Sequence, residues 1–130
     1  MTLRAYLAIK FYEDCRNQEL IEKISDVLKE IGIKTIVMVR DYEKWCKVRF
    51  KPEVLMKKTF DCIDKSDILI VEFSEKGVGL GIETGYAYSK GIPIIIIAKE
   101  GSEISNTMKG VAKQILFYKN PKDLKHKIKV

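Results

Sequence analysis

Four glycines fall within nine positions in Gly77-Val78-Gly79-Leu80-Gly81-Ile82-Glu83-Thr84-Gly85, and one carboxylate stands among them. Glycines at this density let the backbone approach a ligand closely and present free N–H groups at a helix start, which suits anionic groups. A helix read from Gly81 to Lys90 puts Glu83 in its first turn, where the helix dipole and nearby N–H groups favour the ionised carboxylate. Such a carboxylate can act as a nucleophile. It can equally be a helix-start acid without chemistry, with the glycines forming a tight turn; spacing alone leaves both open. Gly79-Leu80-Gly81 is followed by Gly85 one position too late for G-x-G-x-x-G, and no G-x-x-x-x-G-K-[ST] occurs, so a dinucleotide fingerprint and a P-loop are both disfavoured.

The segment from Arg40 to Phe50 is the second concentration of useful side chains. It holds the only Trp, Trp45, with Tyr42 and Phe50 set between charges. Aromatic rings at a strand-end loop can stack a nucleobase, and Arg40 or Arg49 can hold a phosphate. The alternative is a hydrophobic latch over the core. Tyr86 lies one turn after Glu83 and so near it on the same helix. Lys10, Arg16 and Asn17 offer further donors at the end of the first strand. His126 belongs to a Lys-rich tail and reads as exposed.

These residues need a scaffold, and hydrophobic periodicity supplies one. Leu3 to Lys10 alternates as a strand, and Leu20, Ile21, Ile24, Val27, Leu28 and Ile31 recur at helical spacing within a helix from about Cys15 to Ile31 that Gly32 stops. Ile33 to Val39 reads as a second strand, and Pro52 opens a helix to about Lys65. Ile68 to Phe73, Ile94 to Ala98 and a stretch within Val111 to Tyr118 read as further strands, with a short helix near Ile104 to Lys109 and a basic helix from Pro121 to Lys129. Strands apolar on both faces, such as Ile68-Leu69-Ile70-Val71 and Ile94-Ile95-Ile96-Ile97, require helices above and below. The expected architecture is a three-layer α/β domain, flavodoxin- or Rossmann-like, with a mostly parallel five-stranded sheet. Ligands of such sheets bind at the carboxyl ends of the strands, so the loops after Lys10, Val39, Phe73 and Ala98 are where a site belongs.

Composition narrows the function classes. The 130 residues carry 24 basic against 18 acidic side chains, and suit one domain with its own core. The longest apolar run, Ile92 to Ala98, is far too short to span a bilayer, and Met1-Thr2-Leu3-Arg4 has no secretory-signal character. A cytoplasmic protein is expected. The basic excess is spread along the chain without interleaved aromatics, which argues against nucleic acid and equally suits a phosphate-bearing small ligand. Cys15, Cys46 and Cys62 are widely spaced without a C-x-x-C pair, so reduced thiols are expected and neither zinc nor another metal. Lys supplies 20 of the 24 basic residues, and Asn plus Gln number only 5, a balance like that of heat-adapted proteins.

Asp67-Ile68-Leu69-Ile70-Val71-Glu72-Phe73, then Gly77-x-Gly79-x-Gly81-x-Glu83-x-Gly85-Tyr86-Ala87, then Gly91-Ile92-Pro93-Ile94, resembles the nucleoside 2-deoxyribosyltransferase family, especially its small members that hydrolyse deoxynucleoside 5′-monophosphates. The match is best from about Lys58 to Gly110. The resemblance implies a small-molecule nucleoside or nucleotide substrate, no cofactor, and Glu83 as the nucleophile that attacks C1′ as the base departs. It further implies that Gly79, with Gly77 or Lys76, contacts the sugar or a 5′-phosphate, and that members form homodimers or larger assemblies with shared pockets. Ser105, beside Asn106, would then reach a neighbouring subunit's site; by residue type alone both are capping or turn residues. The family's aspartate eight residues before the Asp67 position is Thr59 here. Asp61 turns to the other side of its helix, leaving Asp41 at the end of the second strand as the candidate proton donor. Two other readings stand beside this one: a non-catalytic nucleotide sensor on the same scaffold, favoured by Thr59, and a TIR-like enzyme that cleaves NAD with a glutamate.

Overall fold

The computed structural model describes residues 2–130. Five strands, β1 (Leu3–Ile9), β2 (Ile33–Ile36), β3 (Ile68–Glu72), β4 (Ile94–Lys99) and β5 (Gln114–Tyr118), form one sheet in the order β2-β1-β3-β4-β5. Every pairing is parallel. Parallel neighbours need crossovers, supplied by α1 (Gln18–Glu30), α2 (Met38–Asp41) with α3 (Pro52–Asp64), α4 (Val78–Ser89) and α5 (Asn106–Val111), and a last turn, α6 (Leu124–Lys127), follows a 3₁₀ turn at Pro121–Asp123.

The strands' two-residue period divides the core into two layers. Ala5, Leu7, Ile68, Ile70, Ile95 and Ile97 face α1 and the C-terminal turns, packing with Ile21, Ile24, Leu28 and Leu124. Tyr6, Ala8, Leu69, Val71, Ile94 and Ile96 face α3, α4 and α5, packing with Ile63, Leu80, Ala87 and Met108. β3 is buried along its whole length. Gly32 follows α1 with φ +83, the left-handed conformation glycine adopts without strain at a helix C-terminus. The expected three-layer α/β sheet is therefore present.

The boundaries differ in ways that matter to the site. α1 starts at Gln18, not Cys15, because Cys15 itself has φ +53 and belongs to the preceding turn. β2 stops at Ile36: the Asp41 carboxylate accepts a hydrogen bond from the Val37 N–H (2.9 Å), which turns the chain into α2 instead of extending it to Val39. α4 starts at Val78, three residues early, with extended Gly77 as its cap. Glu83 thus sits in the second turn. The C-terminal segment is a 3₁₀ turn and a four-residue helix where one longer helix was expected, capped at Asn120 through reciprocal bonds with Asp123. No helix among the described residues is long and apolar enough to cross a membrane.

The cysteine reading requires correction. Cys15 and Cys46 are joined in a disulfide across 31 residues, and only the buried Cys62 is a free thiol. Sequence spacing hid this because the β1–α1 turn and the α2–α3 loop converge only after β2 lies beside β1. Closing a loop of this length restricts the unfolded chain. Reduction, or the double substitution Cys15→Ser with Cys46→Ser, should lower unfolding stability by about 3 kcal/mol; an unchanged denaturation midpoint would show the bond contributes nothing.

Candidate active site at the β1/β3 switch point

In a sheet of order 2-1-3-4-5, the connections leave β1 and β3 toward opposite faces, opening a crevice at their carboxyl ends. A cleft of about 460 Å³ occupies this position. Its floor is Tyr6, Leu7 and Ile9 of β1; one wall comes from the segment after β2 (Val37, Met38, Val39, Glu43, Arg49, Phe50), and another from Gly77, Val78, Gly79, Leu80 and Glu83. Leu55, Met56 and Thr59 of α3 close the back, and Lys10, Phe11, Tyr12 and Asn17 form the rim.

Among the described residues Glu83 has one hydrogen-bond partner. The Tyr6 hydroxyl donates to its Oε1 at 3.0 Å, from a β1 position paired with Leu69 of β3. Because β1 alternates, Tyr6 points to the α3–α4 layer, where its ring is only 2% exposed. Burial pushes the Glu83 carboxyl from 4.5 to about 7, while the Tyr6 hydrogen bond works in the other direction. The phenol stays protonated, its own pKa raised by burial and by Glu83. The expectation that the helix start would keep Glu83 ionised is therefore overturned: one turn deeper in α4, it meets no backbone N–H, and desolvation wins. Glu83 is poised near neutrality with Oε2 free toward the cleft, matching the pKa a nucleophile or acid–base group needs at ordinary pH.

Gly77 and Gly79 line the same wall, and neither has a positive φ. A Cβ at Gly79 would meet nothing within 4 Å, and at Gly77 only ordinary contacts with Leu80 and Lys10. The fold does not require bare backbone there, so the space those residues leave belongs to the cleft. Gly81 is exposed and Lys76 is exposed, and neither lines the cleft. Tyr86 also points elsewhere, its ring stacked on Phe60 at 4.2 Å and its hydroxyl donating to Asp64.

The structure separates the remaining expected residues from Glu83. Asp41 is not at the end of β2 and does not line the cleft; its carboxylate is taken up by Arg40 (2.9 Å) and the Val37 N–H. Arg40 is equally committed, donating also to Ser25 and to the Thr35 carbonyl. Trp45 packs on the α1-side core and not in the cleft. Ser105 and Asn106 begin α5, where the Ser105 hydroxyl meets only Thr107, outside this chain's own cleft. Of the candidate rings and donors, Phe50, Arg49, Lys10 and Asn17 do line the cleft, joined there by Phe11 and Tyr12. Tyr6 and Glu43 were missed by sequence reasoning. The only sequence signal for Tyr6 was a polar hydroxyl inside an otherwise apolar strand. Thr59 does line the cleft, against the Tyr6 hydroxyl, while Asp61 is exposed.

No protein-family model matches the sequence, and no curated protein matches it. Solved structures do. A 2-deoxyribosyltransferase from the psychrotolerant bacterium Bacillus psychrosaccharolyticus superposes with TM-score 0.75 at 19% identity over 95% of this chain and 90% of that one. The fold is theirs. Clostridium botulinum CMP N-glycosidase, BcmB, matches with TM-score 0.70 at 22% identity, and a conserved protein from Enterococcus faecalis V583 with 0.69 at 16%, each covering 95% of both chains. These neighbours agree with the resemblance carried by the glycine-rich segment and Glu83.

Two substitutions check the site's geometry. Tyr6→Phe removes the one hydrogen bond that described residues give the carboxylate, so the Glu83 pKa, followed by NMR, should rise by about one unit further; an unchanged value would mean the bond does not form in solution. Gly79→Ala should leave the fold intact or stabilise it by up to about 1 kcal/mol through helix propensity, while filling the cleft and weakening ligand binding. Loss of stability would contradict the open space at that position.

Proposed function

We propose that this chain cleaves, or transfers at, the N-glycosidic bond of a (deoxy)nucleoside or its 5′-monophosphate, with Glu83 as a covalent nucleophile. The observation that carries the reading is a half-buried carboxylate near neutral pKa, steadied at one oxygen by Tyr6 and lining a switch-point cleft. Attack of Oε2 on C1′ forms a glycosyl ester as the C1′–N bond breaks, its electrons leaving with the base. Water, or a second base, then displaces the carboxylate. Splitting one oxocarbenium-like displacement into two easier ones is the logic of retaining glycosidases. Tyr6 holds the carboxylate's orientation and favours its ionised form.

The cleft's other groups suit such a substrate. Phe50, Phe11 and Met38 offer apolar faces to a base. Lys10, Asn17 and Arg49, with bare backbone at Gly77 and Gly79, offer donors to a sugar or a 5′-phosphate. No cofactor enters this scheme, and Asp41 has no part in it. A homodimer belongs to the proposal because only a second copy could bring Ser105 and Asn106 to a cleft. The resemblance of fold to a deoxyribosyltransferase and a CMP N-glycosidase adds support. A cytoplasmic setting is retained as part of the reading.

The test is release of free base from a panel of nucleosides, ribo- and deoxyribonucleoside monophosphates and NAD. Release by wild type and its loss in Glu83→Gln is the expected result; binding without release would favour the sensor, and release from NAD alone the TIR-like reading. The acidic limb of kcat/KM should have an apparent pKa near 7, because the nucleophile must be ionised. A raised carboxyl pKa also costs stability as pH climbs from 4.5 to about 7, where the folded state holds a proton that the unfolded chain has released. Glu83→Gln should therefore be more stable than wild type at pH 8, by roughly 2 kcal/mol, with the gain vanishing below the unfolded pKa. Equal stability at pH 8 would show Glu83 to be solvated.

A further inference from the structure

The cleft contains a second carboxyl group that the scheme above does not use. Glu43 lies on the wall formed after β2, only 9% exposed, yet its side chain makes no hydrogen bond or ion pair with any described residue. Among the described residues no fully buried side-chain oxygen lacks a hydrogen-bond partner, so the unbonded carboxyl oxygens of Glu43 are reached from the cleft that the residue lines.

Its backbone, by contrast, is thoroughly fixed. The Glu43 N–H donates to the Met38 carbonyl at 3.0 Å, and its own carbonyl accepts from Lys47 (3.0 Å) and Val48 (2.9 Å). The next three residues, Lys44, Trp45 and Cys46, all have positive φ, at 49°, 55° and 70°. Consecutive left-handed side-chain-bearing residues are costly and persist only where surroundings impose them. Here the surroundings are the Trp45 ring packed on the core, the Trp45 N–H bonded to the Val39 carbonyl at 2.8 Å, and the Cys46–Cys15 disulfide. These ties fix the loop that carries Glu43 along the cleft wall.

Topology also sets its side. β2 and β3 flank β1, so the loop carrying Glu43 and the helix carrying Glu83 rise on opposite sides of the β1 end. A nucleophile on one side expels a leaving group toward the other. We infer that Glu43 is the general acid of the reaction, giving its carboxyl proton to the departing base. The inference rests on the reading of Glu83 as nucleophile. In the first step the C1′–N electrons pass to the base, which takes the Glu43 proton, while Glu83 bonds to C1′. In the second, the Glu43 carboxylate takes a proton from water as its oxygen bonds to C1′ and Glu83 departs, restoring both groups. Burial raises the Glu43 pKa against the opposing pull of Arg49, the charged group that faces it, and so favours the proton-bearing form.

The decisive comparison uses two leaving groups. With the nucleoside 5′-monophosphate that wild type cleaves fastest, Glu43→Gln should lower kcat/KM, which reports the first step, by about a hundredfold or more. With the 4-nitrophenyl glycoside of the same sugar phosphate, whose leaving group needs no proton, the loss in kcat/KM should stay within about threefold, and this retained activity also shows that the variant is folded. Glu43→Asp should recover part of the lost rate on the nucleotide. Equal losses on both substrates, or none on either, would overturn the role of Glu43. Glu83→Gln run in parallel should abolish both reactions; if it does not, the nucleophile reading fails instead.

Discussion

A half-buried carboxylate with no cation to meet it, in reach of water only through the cleft it lines, is the constraint around which this molecule is arranged. Glu83 is held in the α3–α4 layer by a single neutral hydroxyl, so it carries a proton affinity far above that of a surface glutamate. The Tyr6 hydroxyl reaches it from β1, whose register with β3 sets Tyr6 opposite Leu69 on the face that carries α4. Five parallel strands, buried on both faces, supply the rigidity that fixes this one contact.

Around that contact the cleft walls are secured by different means. The β3–α4 wall is nearly bare backbone, which lends space without side-chain motion. The wall after β2 is irregular and would be mobile on its own, but a disulfide, a core-packed Trp45 and the Arg40–Asp41 pair tie it to α1 and β2. Of the residues in this segment that promised ligand contacts, Trp45, Arg40 and Asp41 are thus the bolts of the wall, while Arg49 and Phe50, with Glu43 beside them, face the ligand space.

The sheet was legible because each layer follows a simple period: apolar strands of four to seven residues, one amphipathic helix ended by Gly32, and Pro52 opening another. Glu83 and its glycines were legible through their motif. What escaped was everything decided by long-range closure. The Cys15–Cys46 bond joins segments whose meeting depends on β2 lying beside β1, and Asp41 is turned inward by a hydrogen bond to Val37 that no periodicity announces. The ionisation of Glu83 was misjudged for a similar reason: α4 begins three residues before its glycines suggested, which removes the carboxylate from the helix start. Tyr6 was hidden by looking like one more core residue of β1.

The covalent role of Glu83 is tested most directly by the stereochemistry at C1′. Cleavage of a β-nucleotide in dilute methanol yields a methyl glycoside whose anomeric form can be assigned by NMR. Two displacements through Glu83 require the β-anomer, with configuration retained. The α-anomer would mean direct attack by solvent and would contradict the account.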